Sequence, residues 1–216
     1  MKGGLFVSET KILYTTIKNE VSVEFEEKRS LFIGHAKPVK TEEEALEFIK
    51  QKKKEYADAT HNVFGYIVKD GICARYSDDG EPQGTAGMPV LDAIRKSGVN
   101  DACVVVTRYF GGILLGAGGL VRAYSHSARL ALEEAGIITY EQYTEIGITC
   151  NYSDYQKLQP LLAKANAVID STEFLESVSI GIAVKDEAAA DLLVKINEVT
   201  SGRAVARISG NRFDYR

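Results

Sequence analysis

Five glycines lie between Gly111 and Gly119, bracketed by Arg108 and Arg122, and no other stretch of this sequence is better equipped to meet an anion. Glycine permits positive φ and close backbone approach, so such a loop can turn its N–H groups toward phosphate or carboxylate. Two arginines beside it can add charge-assisted, bidentate bonds. The same glycines also suit a tight strand-to-helix turn packed on a sheet. The segment lacks the Gly-Lys-Ser/Thr of a Walker loop, and Val121 stands where a dinucleotide fingerprint would place its last glycine.

Other residues invite acid–base or cation chemistry. Asp78, Asp79 and Glu81 could hold a hard cation or exchange protons, although Asp-Asp-Gly is equally good turn chemistry. His61 could titrate near neutral pH or could simply orient a turn. Arg122, His126, Arg129 and Glu133 follow at helical spacing and share one face, which is either a solvated face or a functional one. Thr85 reads as a helix N-cap. No serine is placed with histidine and aspartate as a nucleophilic triad. We therefore expect no catalytic residue, no metal ligand and no cofactor.

Composition sets the class. The chain has 216 residues, 45% apolar and 26% charged, with a net charge of −4. That is an ordinary globular balance with room for two cores, and it argues against a strongly basic nucleic-acid coat while leaving room for a local basic patch. Cys73, Cys103 and Cys150 are odd in number and widely spaced, which suits free thiols in a reducing compartment. No apolar signal core opens the sequence, and the uncharged stretch between Arg108 and Arg122 is too short for a membrane span of roughly 20 residues. The expectation is a cytoplasmic protein with no membrane partner. Its oligomeric state is not legible.

Elements follow from periodicity. Most of the 19 glycines precede residue 137, so a boundary near Gly136 divides the chain into domains at 1–136 and 137–216. In the first part the pattern predicts strands at Val21–Glu27, Leu31–Val39, Asn62–Lys69, Ile72–Ser77 and Ala102–Arg108. It predicts helices from the Thr41 capping box to Tyr56, from Thr85 to Lys96 and from Gly118 to Ala135. Lys50–Lys54 reads as a solvated helix face. Asp70-Gly71 is a hairpin signal. The second part reads strand, helix, strand, strand, helix, strand, the order of a ferredoxin-like split βαβ domain. Its strands lie near Glu145–Tyr152, Val168–Phe174, Val178–Lys185 and Arg203–Ser209. A capping box at Ser153–Gln156 opens one helix, Pro160 should kink or delay it, and Asp186 should cap the other.

Connection rules then gather the motifs. One helix joins the strand ending at Ser77 to the strand ending near Thr107, so the two run the same way if they share a sheet. The Asp70 hairpin reverses Asn62–Lys69, and the Thr41 helix makes Leu31–Val39 run with it. All four motif segments should meet at one edge. The candidate ligand-binding set is Arg29, His61, Asn62, Asp78, Asp79, Glu81, Gly84, Thr85, Arg108, Tyr109, Gly111, Gly112, Gly116, Gly118, Gly119, Arg122 and His126.

With these residues in view, the chain resembles the bacterial YigZ branch of the IMPACT family. The matching segments are KRSLFIGHAKPV, ATHNVFGY, SDDGEPQGTAGMPVL and VVVTRYFGGILLGAGGLVRAYSHSA. The resemblance implies an α+β protein. Its N-terminal domain would have the fold of the second domain of small-subunit ribosomal protein five, and a ferredoxin-like C-terminal domain like the fifth domain of elongation factor G would follow. It implies no catalytic residues. It implies binding of nucleic acid, the ribosome or a translation factor; joined to the residues above, the expectation is a non-enzymatic, translation-associated regulator that binds RNA, the ribosome or a translation factor through the glycine and arginine edge, with Arg108 and Arg122 positioning phosphates and Tyr109 available for base stacking. Family members often carry a lysine just before Leu115, where this chain has Ile113-Leu114. Two other readings stand beside it: a small-molecule enzyme binding phosphate on the same fold, and a protein–protein adaptor presenting the second domain's sheet.

Overall fold

The computed structural model describes residues 14–68 and 71–215. Lys69 and Asp70 of the expected hairpin turn lie outside the described residues, as does the N-terminal stretch that has no apolar signal core. Two compact units divide the chain, with the break between Thr139 and Tyr140.

The first unit contains β1 (Tyr14–Ile17), β2 (Val21–Glu27), β3 (Ser30–Pro38), α1 (Glu42–Glu55), β4 (His61–Val68) and β5 (Cys73–Ser77), then α2 (Gly87–Lys96), β6 (Ala102–Tyr109) and α3 (Ala117–Ala135). Five strands form one sheet in the order β2-β3-β6-β4-β5. Each neighbouring pair is antiparallel. β5 and β6 do run the same way, as the connection rule requires, but β4 lies between them and no parallel ladder forms.

β6 is apolar at nearly every position because both sheet faces are covered. Val104 and Val106 point into a core shared with Leu91 and Ile94 of α2 and Leu120, Tyr124 and Ala128 of α3. Cys103 and Val105 point the other way, to Phe48 and Ile49 of α1. The Cys103 thiol is fully buried, which pushes its pKa far up and leaves it unreactive. The expected α3 stripe, Leu120, Tyr124, Ala128, Ala131 and Ala135, is buried throughout.

α1 starts as expected: the Thr41 hydroxyl accepts from Glu44 N, and the Glu44 carboxylate accepts from Lys40 N. α2 does not. It begins at Gly87 with Ala86 in the cap position, and Thr85 donates its hydroxyl to the Pro82 carbonyl instead. A distant side chain caps this helix, as described below.

The second unit carries β7 (Ile137–Cys150), whose first residues precede the break, then α4 (Tyr152–Lys164), β8 (Val168–Phe174), β9 (Val178–Lys185), α5 (Asp186–Thr200) and β10 (Val205–Asp214). β7 pairs β9 and β10, and β9 pairs β8, all antiparallel, which is the ferredoxin-like order. Ile146, Ile148, Ile180 and Ile182 of the sheet pack on Leu158 and Leu162 of α4 and Leu192 and Ile196 of α5.

Two local expectations fail here. α4 is capped by Asn151, whose side-chain oxygen accepts from Asp154 N at 2.8 Å, two residues before the Ser153 box. Asp154 is instead buried and gripped by Arg203 at 2.6 and 2.9 Å, and that guanidinium holds its carboxyl down at about 2. Pro160 lies within α4 without ending it; it faces solvent, where water can satisfy the carbonyl that its missing N–H frees. Lys185, not Asp186, holds the α5 cap position, and the Asp186 carboxylate accepts the Thr144 hydroxyl.

Candidate functional site

The four motif segments do meet. Register places His61 opposite Arg108, and Leu31 opposite Tyr109. The start of β4, the start of β3 and the end of β6 therefore share one sheet edge. The loop after β5 reaches the same place through side chains.

That loop is built around its own acids. Asp78 accepts from the backbone N–H groups of Gly84, Ala86 and Gly87 at 2.9, 3.1 and 2.8 Å. It thus caps α2 from outside the helix, and its negative charge suits the positive end of the dipole. Gly84 takes φ +75°, a conformation a glycine allows. Asp79 has φ +45° and accepts from Asn62 N at 2.7 Å and from the Lys53 ammonium at 2.5 Å. Lys53 was expected to lie on a solvated face; its charge is partly used here.

His61 takes the turn-orienting role. Its Nδ1 lies 2.8 Å from the Asp79 carbonyl, which can only accept, so Nδ1 carries the proton. Asn62 is consumed as well: its amide donates to the Tyr56 carbonyl at 3.1 Å, and its oxygen accepts from Thr107 at 2.7 Å.

Glu81 is the centre of the buried part. Its Oε1 accepts from Arg108 at 2.6 Å and from the Tyr124 hydroxyl at 2.7 Å, with His61 Nε2 at 3.8 Å. The Arg108 and Glu81 side chains are only 6% and 4% exposed. Burial, then the Glu81 charge, drive the Tyr124 hydroxyl well above the usual phenol range. Arg108 also donates to Ser30, and its guanidinium lies over the rings of Phe32 and Phe110, 5.5 and 5.4 Å from their centroids. Its Nε is buried without a partner. Arg108 therefore ties the acidic loop to β3, Glu81 extends the link to α3 through Tyr124, and the Arg108 guanidinium is already occupied.

The glycine loop differs. Gly111 lies against the β2–β3 turn, where an added Cβ would fall 1.9 Å from the Arg29 carbonyl oxygen. Its N–H donates to Ser30 at 3.3 Å. Gly112 and Gly116 adopt φ +84° and +71°, and both are exposed. Gly116 holds the α3 cap position with no side-chain cap, and the first turn, with Gly118 and Gly119, carries no acid. Lys28 and Arg29 of the β2–β3 turn and Arg122 of α3 are exposed, and none makes an ion pair with another described residue. Lys28 and Arg122 line one depression of about 230 Å³, together with Glu27 and His126.

Tyr109 is half-buried and donates to Asp58 at 2.9 Å, a bond that raises its pKa. Phe110 is the freer ring: it rests on Arg108 yet stays 45% exposed. Phe110 and Tyr124 also belong to this edge, although motif reading does not single them out as candidate ligands. The signal for Tyr124 was its hydroxyl, because a core tyrosine needs a polar partner. On α3, Arg129 donates to Glu133 at 2.8 Å and to His126 Nδ1 at 2.9 Å. Among the described residues no histidine, cysteine and carboxylate cluster could hold a metal ion.

The chain is similar to known proteins. Residues 28–132 match the Impact N-terminal domain, and residues 148–203 match a domain of unknown function, DUF1949. The IMPACT family member YvyE of Bacillus subtilis is 35% identical over 88% of this chain and 88% of its own length. The chain belongs to the IMPACT family. Its two-domain form is that of the Escherichia coli member YigZ, 32% identical over 84% of this chain and 91% of that one. The IMPACT homolog of Dictyostelium discoideum matches 46% of this chain, over 29% of its own length. The crystal structure of an hypothetical protein is similar over 92% of this chain and 98% of that one, at 30% identity and a TM-score of 0.56. No helix among the described residues is long and apolar enough to cross a membrane.

Proposed function

We propose that this IMPACT family member is a non-enzymatic, translation-associated regulatory protein that binds single-stranded RNA, free or within the ribosome, at the rim of the motif edge. One observation carries the reading. Asp78, Asp79 and Glu81 of the loop after β5 are spent on internal partners, whereas Lys28, Arg29, Arg122 and the open start of α3 are not. Phosphates would meet Lys28, Arg29, Arg122 and the Gly116–Gly119 backbone. Phe110, braced from behind by Arg108, is a better stacking ring than Tyr109, whose hydroxyl is tied to Asp58. Glu27 at the same depression, and the net charge of −4, predict modest affinity with steep salt dependence.

Fluorescence anisotropy with a labelled single-stranded RNA across a salt series tests this, alongside ribosome co-sedimentation. Binding at low salt that weakens at least tenfold in a Lys28/Arg29/Arg122 triple alanine variant supports the reading. No binding at low salt to either RNA or ribosome rejects it.

A further inference from the structure

Away from the motif edge, a trough of about 610 Å³ runs between α2 and α3. Its floor is apolar: Ala93 of α2, Val121 and Leu132 of α3, and Ile137 just beyond. Val121 and Ile137 are 38% and 42% exposed and are not covered by the described residues, whereas Leu132 beneath them is buried. Lys96 on one bank and Arg122 and Arg129 on the other supply the charge. Only Arg129 among them has a described carboxylate partner, Glu133.

We propose that this trough docks an acidic amphipathic helix of a protein partner. Three features select that occupant. The stretch of α3 from Val121 to Glu133 extends about 18 Å, the length of roughly three helical turns. A partner helix laid along it would present apolar side chains at one-turn spacing to Val121, Ala93 and Ile137. Its acidic flanks would then face Lys96, Arg122 and Arg129. A compact metabolite fits less well: small-molecule sites enclose their ligand and orient it with placed polar groups, and every polar side chain lining this trough is exposed or half-buried. Nucleic acid fits less well too, because the floor is apolar and Glu133 stands on the bank.

The proposal does not rest on the RNA reading, and the two separate by variant. Lys96, Ala93 and Ile137 belong to the trough alone; Lys28 and Arg29 belong to the rim alone. The probe is a labelled model peptide of about four turns, with leucines at i, i+3, i+4 and i+7 and glutamates elsewhere, measured by anisotropy against the full chain. A control has the same composition with the leucine spacing scrambled. The expected result is binding at least tenfold tighter than the control. Lys96→Glu with Arg129→Glu should weaken it roughly tenfold, and Lys28→Ala with Arg29→Ala should leave it unchanged. A lysine-for-glutamate peptide should bind the Lys96→Glu/Arg129→Glu variant better than it binds the parent, which no misfolded variant would do. Equal binding of the scrambled peptide overturns the proposal. So does displacement of the peptide by single-stranded RNA with no effect of Lys96→Glu. So does a concentration-dependent dimer, seen by sedimentation and abolished by Ile137→Glu, which would make a second copy the occupant.

Discussion

The loops that follow β5 and β6 looked equally functional as sequence, and the fold treats them in opposite ways. Asp78–Gly87 is rich in titratable groups, and nearly all of them are bound: Asp78 to three backbone N–H groups, Asp79 to Asn62 and Lys53, Glu81 to Arg108 and Tyr124. Gly111–Gly119 has no titratable side chain, yet it leaves an uncapped helix start and free cations beside it. The acidic loop is the bracket, and the glycine loop is the surface the bracket holds in place. A cluster of charged residues is thus a poor guide to a ligand until its internal partners are counted.

The largest test of that contrast is at Glu81. Replacing it with alanine leaves Arg108 charged, buried and unpaired, and should destabilise the first unit by about 3–5 kcal/mol. Denaturant unfolding reads this directly. A loss under about 1 kcal/mol would mean the pair is wet and the bracket loose. Glu81→Leu combined with Arg108→Met should recover much of the loss, because a packed apolar pair avoids the desolvation cost.

A second test uses pH. His35 is fully buried, between Ser22 at 2.7 Å and Thr107 at 3.2 Å. Thr107 gives its proton to Asn62, so it accepts from His35 Nε2, and Ser22 donates to Nδ1. This chain links the sheet to Asn62, whose N–H holds Asp79. Burial, and then the Lys52 charge, lower the His35 pKa from 6.5 to about 4. The unfolded chain binds the proton first as pH falls. Stability is therefore fully present above pH 6.5 and is lost as pH drops toward about 4, by up to about 3 kcal/mol. The stability gap between the parent and His35→Gln should shrink over that window. A constant gap would show that His35 does not contribute to the pH dependence.

Asp78→Ala gives a smaller effect, about 1–2 kcal/mol, as the N-terminal N–H groups of α2 lose their acceptor. Thermal unfolding with and without millimolar magnesium sharpens the point. If Asp78 is a cap, magnesium leaves the midpoint of the parent unchanged. A magnesium-dependent rise, lost in Asp78→Ala, would restore the cation reading of this loop.

Much of this was legible beforehand, and the failures have a common cause. Most strand and helix positions followed from period, with β1 and the first half of β7 missed, and the meeting of His61, Arg108 and Ser30 at one edge followed from connection rules, because both are properties of chain direction. The partner of each polar side chain was not legible. Thr85 looked like the α2 cap until Asp78, several residues away, proved to hold those N–H groups. Arg108 looked like an anion ligand because nothing local shows that Glu81, across a loop, reaches it. Ser153 and Asp186 missed their caps by one or two residues, which is the usual resolution of terminus signals. Long-range pairing decides which charges remain free, and spacing along the chain does not encode it.

The last prediction has almost no effect on stability and bears on the open half of the comparison. Lys28, Arg29 and Arg122 are exposed and unpaired with described residues, so replacing all three with alanine should change unfolding free energy by no more than about 0.5 kcal/mol each. The same variant should lose RNA affinity at least tenfold, and the slope of log affinity against log salt should fall by about 2, since three phosphate contacts to a single strand are removed. The two readouts must separate. If affinity and stability fall together, these residues belong to the bracket after all; if the salt slope is unchanged while the chain stays folded, RNA is held elsewhere and the rim is not its contact.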